Sequence, residues 1–138
     1  MKFWDRKNND NLTEKQKIGA IGENLAEKYL KKNSFSILDR NYRKKWGEID
    51  IVAKKEDTIH FIEVKSVTLT RLESDINHET VRDNYEPEDN IHPWKLKRLS
   101  RAIETYLLEK NVADDIDWQL DALSVYLDEK GKLIKLEH

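Results

Sequence analysis

The sequence predicts an α/β domain in which a mixed central β-sheet is flanked by helices. Three features predict it: a capping box that opens an amphipathic helix at Thr13, two β-type runs that begin at Gly47, and a second amphipathic helix after Pro93. The predicted order is α-β-β-β-α-β with a short last strand. A chain of 138 residues suffices for one domain with a core. We predict a flexible lead-in at residues 1–12 and a single domain at residues 13–136.

Composition limits the classes of function. Apolar residues make up 38% of the chain and charged residues 38%, and the net charge is only -2, so any site for a polyanion must be local. The absence of cysteine excludes disulfides and thiolate metal sites, and the four histidines are too dispersed for a zinc site. No apolar run has the length of a membrane span or the form of a signal peptide, so we expect a cytoplasmic protein without a membrane partner.

The first helix is predicted to begin at Thr13 and to end at residues 31–33. Its apolar stripe consists of Ile18, Ile21, Leu25 and Tyr29. Gly19 and Gly22 each cost about 1 kcal/mol relative to alanine within a helix. Their presence suggests that another backbone passes close to this helix. Glu23 lies at the margin of the buried face, from which its side chain can point toward the sheet.

Three strands and a polar insertion are predicted between the two helices. The strands cover residues 35–42, 47–53 and 59–65. The insertion, at about residues 66–92, shows no sustained periodicity and is predicted to be a mobile loop or to contain a short helix near residues 76–81.

The second helix is predicted to begin at Pro93 and to end near residues 110–111. Its apolar positions are Leu96, Leu99, Ile103, Tyr106 and Leu107. Its opposite face carries Lys97, Arg98 and Arg101, which the sequence alone favours as solvated residues over DNA contacts. A strand at residues 118–126, a turn at 128–131 and a last strand at 133–136 follow.

The second and third strands form a hairpin that carries acidic residues where a core strand normally has none. Alternation predicts one face with Glu48, Asp50 and Val52, and another with Ile49, Ile51 and Ala53. A turn at residues 56–57 places Asp50 opposite Glu63. The same register places Glu48 opposite Lys65, which shares a face with Glu63. The supporting apolar pairs are Ile49 with Val64 and Ile51 with Ile62.

Such a cluster of carboxylates must be neutralised. Two of them at 4 Å repel by roughly 4 kcal/mol at an effective dielectric near 20. A proton, the ammonium of Lys65 or a divalent cation can offset that repulsion. Oxygen ligands without sulfur or paired imidazoles favour Mg²⁺ or Mn²⁺, which suit phosphodiester chemistry. The alternative is an ordinary hairpin in which Glu48 and Lys65 form a cross-strand ion pair while Asp50 and Glu63 face solvent.

Four motifs, in order and with matching spacing, carry a family resemblance. They are Gly19-x-x-Gly22-Glu23-x-x-Ala26, Asn41-Tyr42-Arg43, Gly47-Glu48-Ile49-Asp50-Ile51-Val52 and Phe61-Ile62-Glu63-Val64-Lys65. Over roughly residues 13–126 the chain resembles the YraN-like family of small predicted bacterial endonucleases. That family belongs to the restriction-endonuclease-like superfamily and is similar to archaeal Holliday-junction resolvases.

The resemblance implies a restriction-endonuclease-like core and a role for each matching residue. Asp50 and Glu63 match ligands of Mg²⁺, Lys65 the catalytic lysine, and Glu23 an acidic residue that can complete the metal site. Glu48 also matches the catalytic motif. Lys95 resembles a lysine that often begins the second helix, Asp121 resembles a structural aspartate, and Val67 stands where the family usually has a basic residue.

These observations lead to a primary hypothesis, an endodeoxyribonuclease that uses Mg²⁺ or Mn²⁺ to hydrolyse phosphodiester bonds, for example in branched or damaged DNA. The residues expected to hold nucleic acid are Arg40, Arg43, Lys44, Lys45 and Lys95, with the insertion as a lid. Analogy with resolvases suggests a homodimer. The alternatives are a non-catalytic nucleic-acid-binding or adaptor protein on the same fold, and a protein-interaction module that uses the insertion.

Overall fold

The computed structural model describes residues 12–69 and 93–138. Helices and strands follow in the order α1 (Glu14–Lys32), β1 (Ser36–Lys44), β2 (Gly47–Lys55), β3 (Thr58–Thr68), α2 (Pro93–Glu109), β4 (Asp117–Leu127) and β5 (Leu133–Glu137). The strands form one sheet in the order β1-β2-β3-β4-β5, in which only β3 and β4 are parallel. The predicted α/β class, mixed sheet and element order are therefore confirmed.

Helix α1 begins and ends as the sequence predicts. The Thr13 hydroxyl accepts a hydrogen bond from the Gln16 backbone N–H (3.1 Å), and the Gln16 side chain accepts one from the Thr13 N–H (2.9 Å). Asn33 caps the other end. The buried line along α1 is Gly22, Ala26 and Leu30, while Ile21, predicted within the apolar stripe, is exposed.

Gly22 is the position at which α1 approaches β3 most closely. A Cβ atom there would lie 1.8 Å from the Ser66 hydroxyl oxygen and 3.0 Å from the Ser66 Cβ, so the close passage predicted at Gly22 is confirmed. The same prediction for Gly19 is wrong for residues 12–69 and 93–138, because outside the neighbouring part of α1 none of their heavy atoms lies within 4 Å of a Cβ built there.

The two helices cover opposite faces of the sheet, and each covers its own apolar cluster. The cluster under α1 contains Ala26, Leu30, Phe35, Ile51, Ala53, Ile62, Leu123, Val125 and Leu127. The cluster under α2 contains Ile49, Val52, Ile59, Phe61, Leu99, Ala102, Ile103 and Tyr106. Leu96, predicted on the apolar side of α2, is instead exposed. None of the helices in the described part of the chain has the length and apolarity to cross a membrane.

Strand β2 does not keep the regular alternation predicted for it. Ile49 packs under α2 together with Val52, whereas Ile51 packs under α1, so Ile49 and Ile51 lie on opposite faces. Asp50 faces a cavity beside α1 and no longer shares a face with Val52. This irregularity at Asp50 lets the strand bury apolar side chains on both faces and still direct one carboxylate to the side.

The predicted hairpin register is confirmed from the turn as far as Ile51 opposite Ile62, whereas the predicted pairs of Asp50 with Glu63 and of Glu48 with Lys65 are not part of the ladder. The ladder between β2 and β3 runs from Lys55 opposite Thr58 to Ile51 opposite Ile62, around a turn at residues 56–57. Asp50 and Glu63 come one step beyond the last pair. The predicted apolar pair of Ile49 with Val64 is wrong, because these residues pack on opposite sides of the sheet.

Strand β3 is longer than its apolar run predicts. Parallel pairing with β4 continues from Thr58 opposite Asp117 to Thr68 opposite Leu127, and the Leu69 N–H donates to the Leu127 carbonyl. Residues 66–69 therefore belong to the sheet and not to the insertion. The lead-in up to residue 11, and the rest of the insertion with its predicted helix and lid, lie outside the described residues and stay predictions.

Gly22→Ala is expected to lower the free energy of unfolding by about 1–3 kcal/mol, because the new methyl group must push Ser66 away. The matched control is Gly19→Ala on the same helix, expected to raise it by up to about 1 kcal/mol because the space is open and alanine favours helix. Urea unfolding measures both. Equal shifts of the same sign would contradict the packing described.

Candidate active site

The residues predicted for a metal site meet in one cavity of about 480 Å³ between α1, the sheet and the first turn of α2. Its charged lining residues are Lys15, Glu23, Glu48, Asp50, Glu63, Lys65 and Lys95. All five predicted catalytic residues are in this set. Helix α1, β2, β3 and α2 each contribute to it, so the cavity exists only when the sheet and both helices are assembled.

Asp50 is positioned by a hydrogen bond that replaces a rung of the β-ladder. Its Oδ2 accepts the backbone N–H of Val64 at 2.8 Å, at the point where regular pairing of β2 with β3 stops. Burial, with the negative charges of Glu63 and Glu23, raises the pKa of Asp50 to about 7, although the Val64 hydrogen bond acts in the opposite direction. Near neutral pH this carboxyl group therefore exchanges a proton readily.

Glu63 is neutralised by Lys95, not by the lysine that the sequence suggests. The Lys95 Nζ lies 2.5 Å from Glu63 Oε1, and the Glu63 side chain is only 7% exposed. Burial lowers the pKa of Lys95, but the hydrogen bond and charge of Glu63 outweigh it and the net shift is upward. Lys65 lines the cavity and forms no ion pair within the described residues.

The sequence associates Lys95 with nucleic acid, and no pattern in the sequence connects it to Glu63. The two residues are separated by the insertion, and their contact results from α2 packing with its first turn beside β3. The resemblance of Lys95 to a family lysine is the one sequence signal that marks this position.

Two further carboxylates of the cavity are paired with arginines. Arg40 lies 3.6 Å from Glu23 and also donates to Asn24 at 2.8 Å, which holds it against α1. Arg43 lies 3.6 Å from Glu48 across β1 and β2, where both side chains are exposed. The predicted pairing of Glu48 with Lys65 is therefore replaced by one with Arg43.

The predicted basic cluster on β1 does not form a continuous surface. Arg40 contacts α1, whereas Lys44 forms an ion pair of 2.8 Å with Glu109 at the end of α2. Lys45 is exposed in the turn between β1 and β2. Members of this cluster thus lie toward opposite faces of the sheet, and two of them hold helices in place.

Asp121, identified above as structural, lies outside this cavity. It accepts hydrogen bonds from Gln119 (2.6 Å), His60 (2.7 Å) and His138 (2.8 Å). Burial raises the pKa of Asp121, but these hydrogen bonds outweigh burial and hold it below its usual range. Its surroundings agree with a role in joining β3, β4 and the end of the chain.

The donor atoms in the cavity fit a hard divalent cation. No three Asp, Glu or His side chains in residues 12–69 and 93–138 are grouped closely enough to bind one ion together. Mg²⁺ commonly binds to one or two carboxylates and keeps several waters, so Asp50 and Glu63 suffice as its direct protein ligands. The ammonium of Lys95 already forms an ion pair with the Glu63 carboxylate, which indicates that positive charge is favoured beside Glu63.

In a comparison with known proteins, one family model matches the part of the chain that contains Glu23, Asp50, Glu63, Lys65 and Lys95. The model of "Uncharacterised protein family UPF0102" matches residues 22–125, which include the whole hairpin and α2. A UPF0102 protein of Campylobacter lari is 38% identical over 112 residues, covering 81% of this chain and 86% of the relative. One from Campylobacter jejuni subsp. doylei is 36% identical over 107 residues (78% and 81%), and one from Campylobacter hominis 34% over 109 (79% and 83%).

Asp50→Asn is expected to make metal-free protein more stable at pH 8 by about 1–3 kcal/mol. The pKa of Asp50 is about 7 in the folded state and ordinarily 3.8. At pH values between these two, the folded protein therefore binds a proton that the unfolded chain does not. The stability from the protonated group is complete below pH 3.8 and is lost as the pH rises through 7. Urea unfolding in EDTA at pH 5 and pH 8 measures the difference, which should shrink at pH 5.

Asp57→Asn, in the exposed hairpin turn, is the matched control and should show no such pH-dependent gain. An Asp50→Asn variant whose stability relative to the wild type is the same at both pH values would contradict the buried, proton-binding environment of Asp50.

Lys95→Met is expected to destabilise metal-free protein by about 1–3 kcal/mol, because it leaves the buried Glu63 carboxylate without its partner. The value is set below that of a fully buried pair because the Lys95 side chain is 37% exposed. Lys97→Met, two residues along the same helix and exposed, should change stability by less than about 0.5 kcal/mol. Thermal unfolding of both variants in EDTA tests the pair, and equal midpoints would argue against it.

Proposed function

This chain belongs to the UPF0102 family, and from the geometry of its cavity we propose that it is a divalent-metal-dependent endonuclease that hydrolyses phosphodiester bonds in DNA. The single observation that supports this most strongly is the placement of Asp50, Glu63 and Lys65 in one cavity through the β2–β3 hairpin. An aspartate on one strand and a Glu-x-Lys on the next is the arrangement implied by resemblance to the restriction-endonuclease-like superfamily. The two helices on opposite faces of a mixed sheet agree with it.

In the proposed site, Asp50 and Glu63 hold Mg²⁺ or Mn²⁺. When bound, the ion supplies Lewis-acid activation of the phosphate and of water. The Val64 N–H keeps the Asp50 carboxylate oriented toward the cavity, and Glu23 and Glu48 lie where they can accept hydrogen bonds from water. Lys65 stabilises negative charge that develops on the phosphate or orients the attacking water.

Lys95 changes partner in this proposal. With a divalent ion held at Glu63, the ammonium of Lys95 would lose this partner and would be available to a phosphate of the substrate. This accounts for both the contact with Glu63 and the expected role in nucleic-acid binding. Metal, substrate and the first turn of α2 are thereby linked through one side chain.

A second candidate is a nucleic-acid-binding protein that keeps the fold without cutting. The observation that favours it is that Lys95 and Arg40 already neutralise Glu63 and Glu23 in the metal-free protein. Such a protein has no need of a divalent cation for stability. Branched or damaged DNA as substrate, a homodimer and a cytoplasmic location stay predictions for either function.

Wild-type protein is expected to nick at least one member of a panel of junction, flap, single-stranded and duplex DNAs in Mg²⁺ or Mn²⁺, with no cleavage in EDTA. Asp50→Asn and Lys65→Met should each lower the cleavage rate by about 10²-fold or more, since the first removes a carboxylate that would hold the metal and the second a group that acts on the phosphate or the attacking water. Isothermal titration should also show weaker Mn²⁺ binding by Asp50→Asn.

Asp57→Asn serves as the control with the same chemical change outside the cavity, and it should cleave at the wild-type rate. Retention of cleavage by both site variants would refute the nuclease assignment to this cavity. Binding of DNA by wild type with neither Mn²⁺ binding nor cleavage would favour the non-catalytic function.

A further inference from the structure

The solvent face of α2 carries a line of side chains in which two arginines lie between an aromatic residue and a threonine. Trp94, Arg98, Arg101 and Thr105 follow one another at spacings of four, three and four, which puts them along one side of the helix. Trp46, in the turn between β1 and β2, donates its indole N–H to the Thr105 hydroxyl at 2.9 Å and extends the line. We call Trp94, Arg98, Arg101 and Trp46 the α2 stripe.

The α2 stripe begins at the candidate active site. Trp94, Arg98 and Leu99 line a second cavity of about 480 Å³ with Glu48, Glu63 and Lys95. Those last three residues also line the first cavity, so the two cavities adjoin. A ligand lying along the α2 stripe therefore reaches the carboxylates without crossing another part of the described structure.

The charges on the α2 stripe are available to a ligand, unlike those of the predicted basic cluster. Arg98 and Arg101 are exposed, and neither forms an ion pair with any described residue. Arg40 and Lys44, by contrast, are paired with acidic side chains of α1 and α2. In a chain of net charge -2, two such arginines make a local positive surface.

The aromatic members select the kind of ligand. Trp94 is 61% exposed and Trp46 42%. An exposed indole offers a flat face on which a nucleobase stacks, and an adjacent guanidinium pairs with the phosphate, which is the pattern of proteins that bind single strands. A duplex hides its base faces and offers the indoles little.

We propose that the α2 stripe binds the unpaired strand of a DNA substrate and leads it into the candidate active site. The proposal rests on the proposed function, because it names the substrate class of that site: DNA with a single-stranded segment beside the scissile phosphate. From Trp94 to Thr105 the helix advances by eleven steps, or about 16 Å at a rise of about 1.5 Å per residue, which is the length of roughly five nucleotides at about 3.4 Å each.

The test is binding of a fluorescein-labelled 12-mer oligo(dT) by the full chain in EDTA, followed by fluorescence anisotropy at several salt concentrations. Trp94→Ala should weaken binding at least about fivefold, and Trp94→Phe should retain most of it because a ring remains. Arg98→Ala/Arg101→Ala should weaken binding about tenfold or more and reduce the dependence on salt. A hairpin duplex of the same length should bind more weakly than the oligo(dT) and respond little to Trp94→Ala.

Two controls separate a local site from general effects. Lys130→Ala/Lys132→Ala, in the turn before β5, gives the same net charge as the double arginine variant and should leave binding unchanged. Leu96→Ala, exposed on another side of α2, reports any general loss of helix stability and should likewise bind normally.

Equal losses in the stripe variants and the lysine control, or a duplex preference untouched by Trp94→Ala, would overturn the proposal. The proposal would also be overturned if the wild-type protein bound no oligonucleotide and Trp94→Ala lowered its thermal stability. That result would mean that another segment of the chain covers the α2 stripe. Binding is measured in EDTA, so it does not depend on cleavage. If the α2 stripe is needed for binding but the protein shows no nuclease activity in Mg²⁺ or Mn²⁺, the proposed hydrolysis is overturned and the role of the stripe in binding stands. Cleavage by a protein whose stripe variants bind normally overturns the stripe alone.

Discussion

The proximity of the half-buried carboxylate of Asp50 to the buried carboxylate of Glu63 is the constraint on which the arrangement of the rest depends. Their mutual repulsion has to be offset within the fold, and two different devices do it. Asp50 takes up a proton readily, its pKa raised by burial and by the neighbouring negative charges, while Glu63 holds the ammonium of Lys95. Under the proposed function, a divalent cation would take the place of the proton on Asp50 and of the Lys95 ammonium at Glu63.

This constraint ties the helices to the site as well as to the core. Helix α2 covers one apolar face of the sheet and carries Lys95. Helix α1 covers the other face and carries Glu23, which forms an ion pair with Arg40 of β1. The tight passage of Gly22 against Ser66 sets how closely α1 approaches β3. Packing and electrostatics are therefore not separable here, since a shift of either helix would leave a carboxylate in the cavity without its counter-charge.

The distribution of basic side chains follows from the same requirement. Arg40 and Lys44 are used inside the molecule, where they join β1 to α1 and α2, and Arg98 and Arg101 remain on the surface. The face of α2 that carries Arg98 and Arg101 thus lies beside the cavity, and its positive charges form no ion pair within residues 12–69 and 93–138. For a protein of nearly balanced charge, this local separation of internal and external cations makes recognition of a polyanion feasible.

The sequence sufficed for the order of the elements and for the hairpin register near the turn, because helix caps, helical periodicity and β-alternation are local and a shift of one residue would bury charges. It also identified Glu23, Asp50, Glu63 and Lys65 for one site, partly through family resemblance. Only the tertiary structure decided that Lys95 neutralises Glu63, that Arg43 takes Glu48, and that β2 changes face at Asp50. The pair of Arg43 with Glu48 depends on the register of β1 with β2, and the change of face in β2 on how the two helices cover the sheet. The contact of Lys95 with Glu63 depends on where α2 packs, and no spacing along the chain encodes the contact of two groups with 31 residues between them.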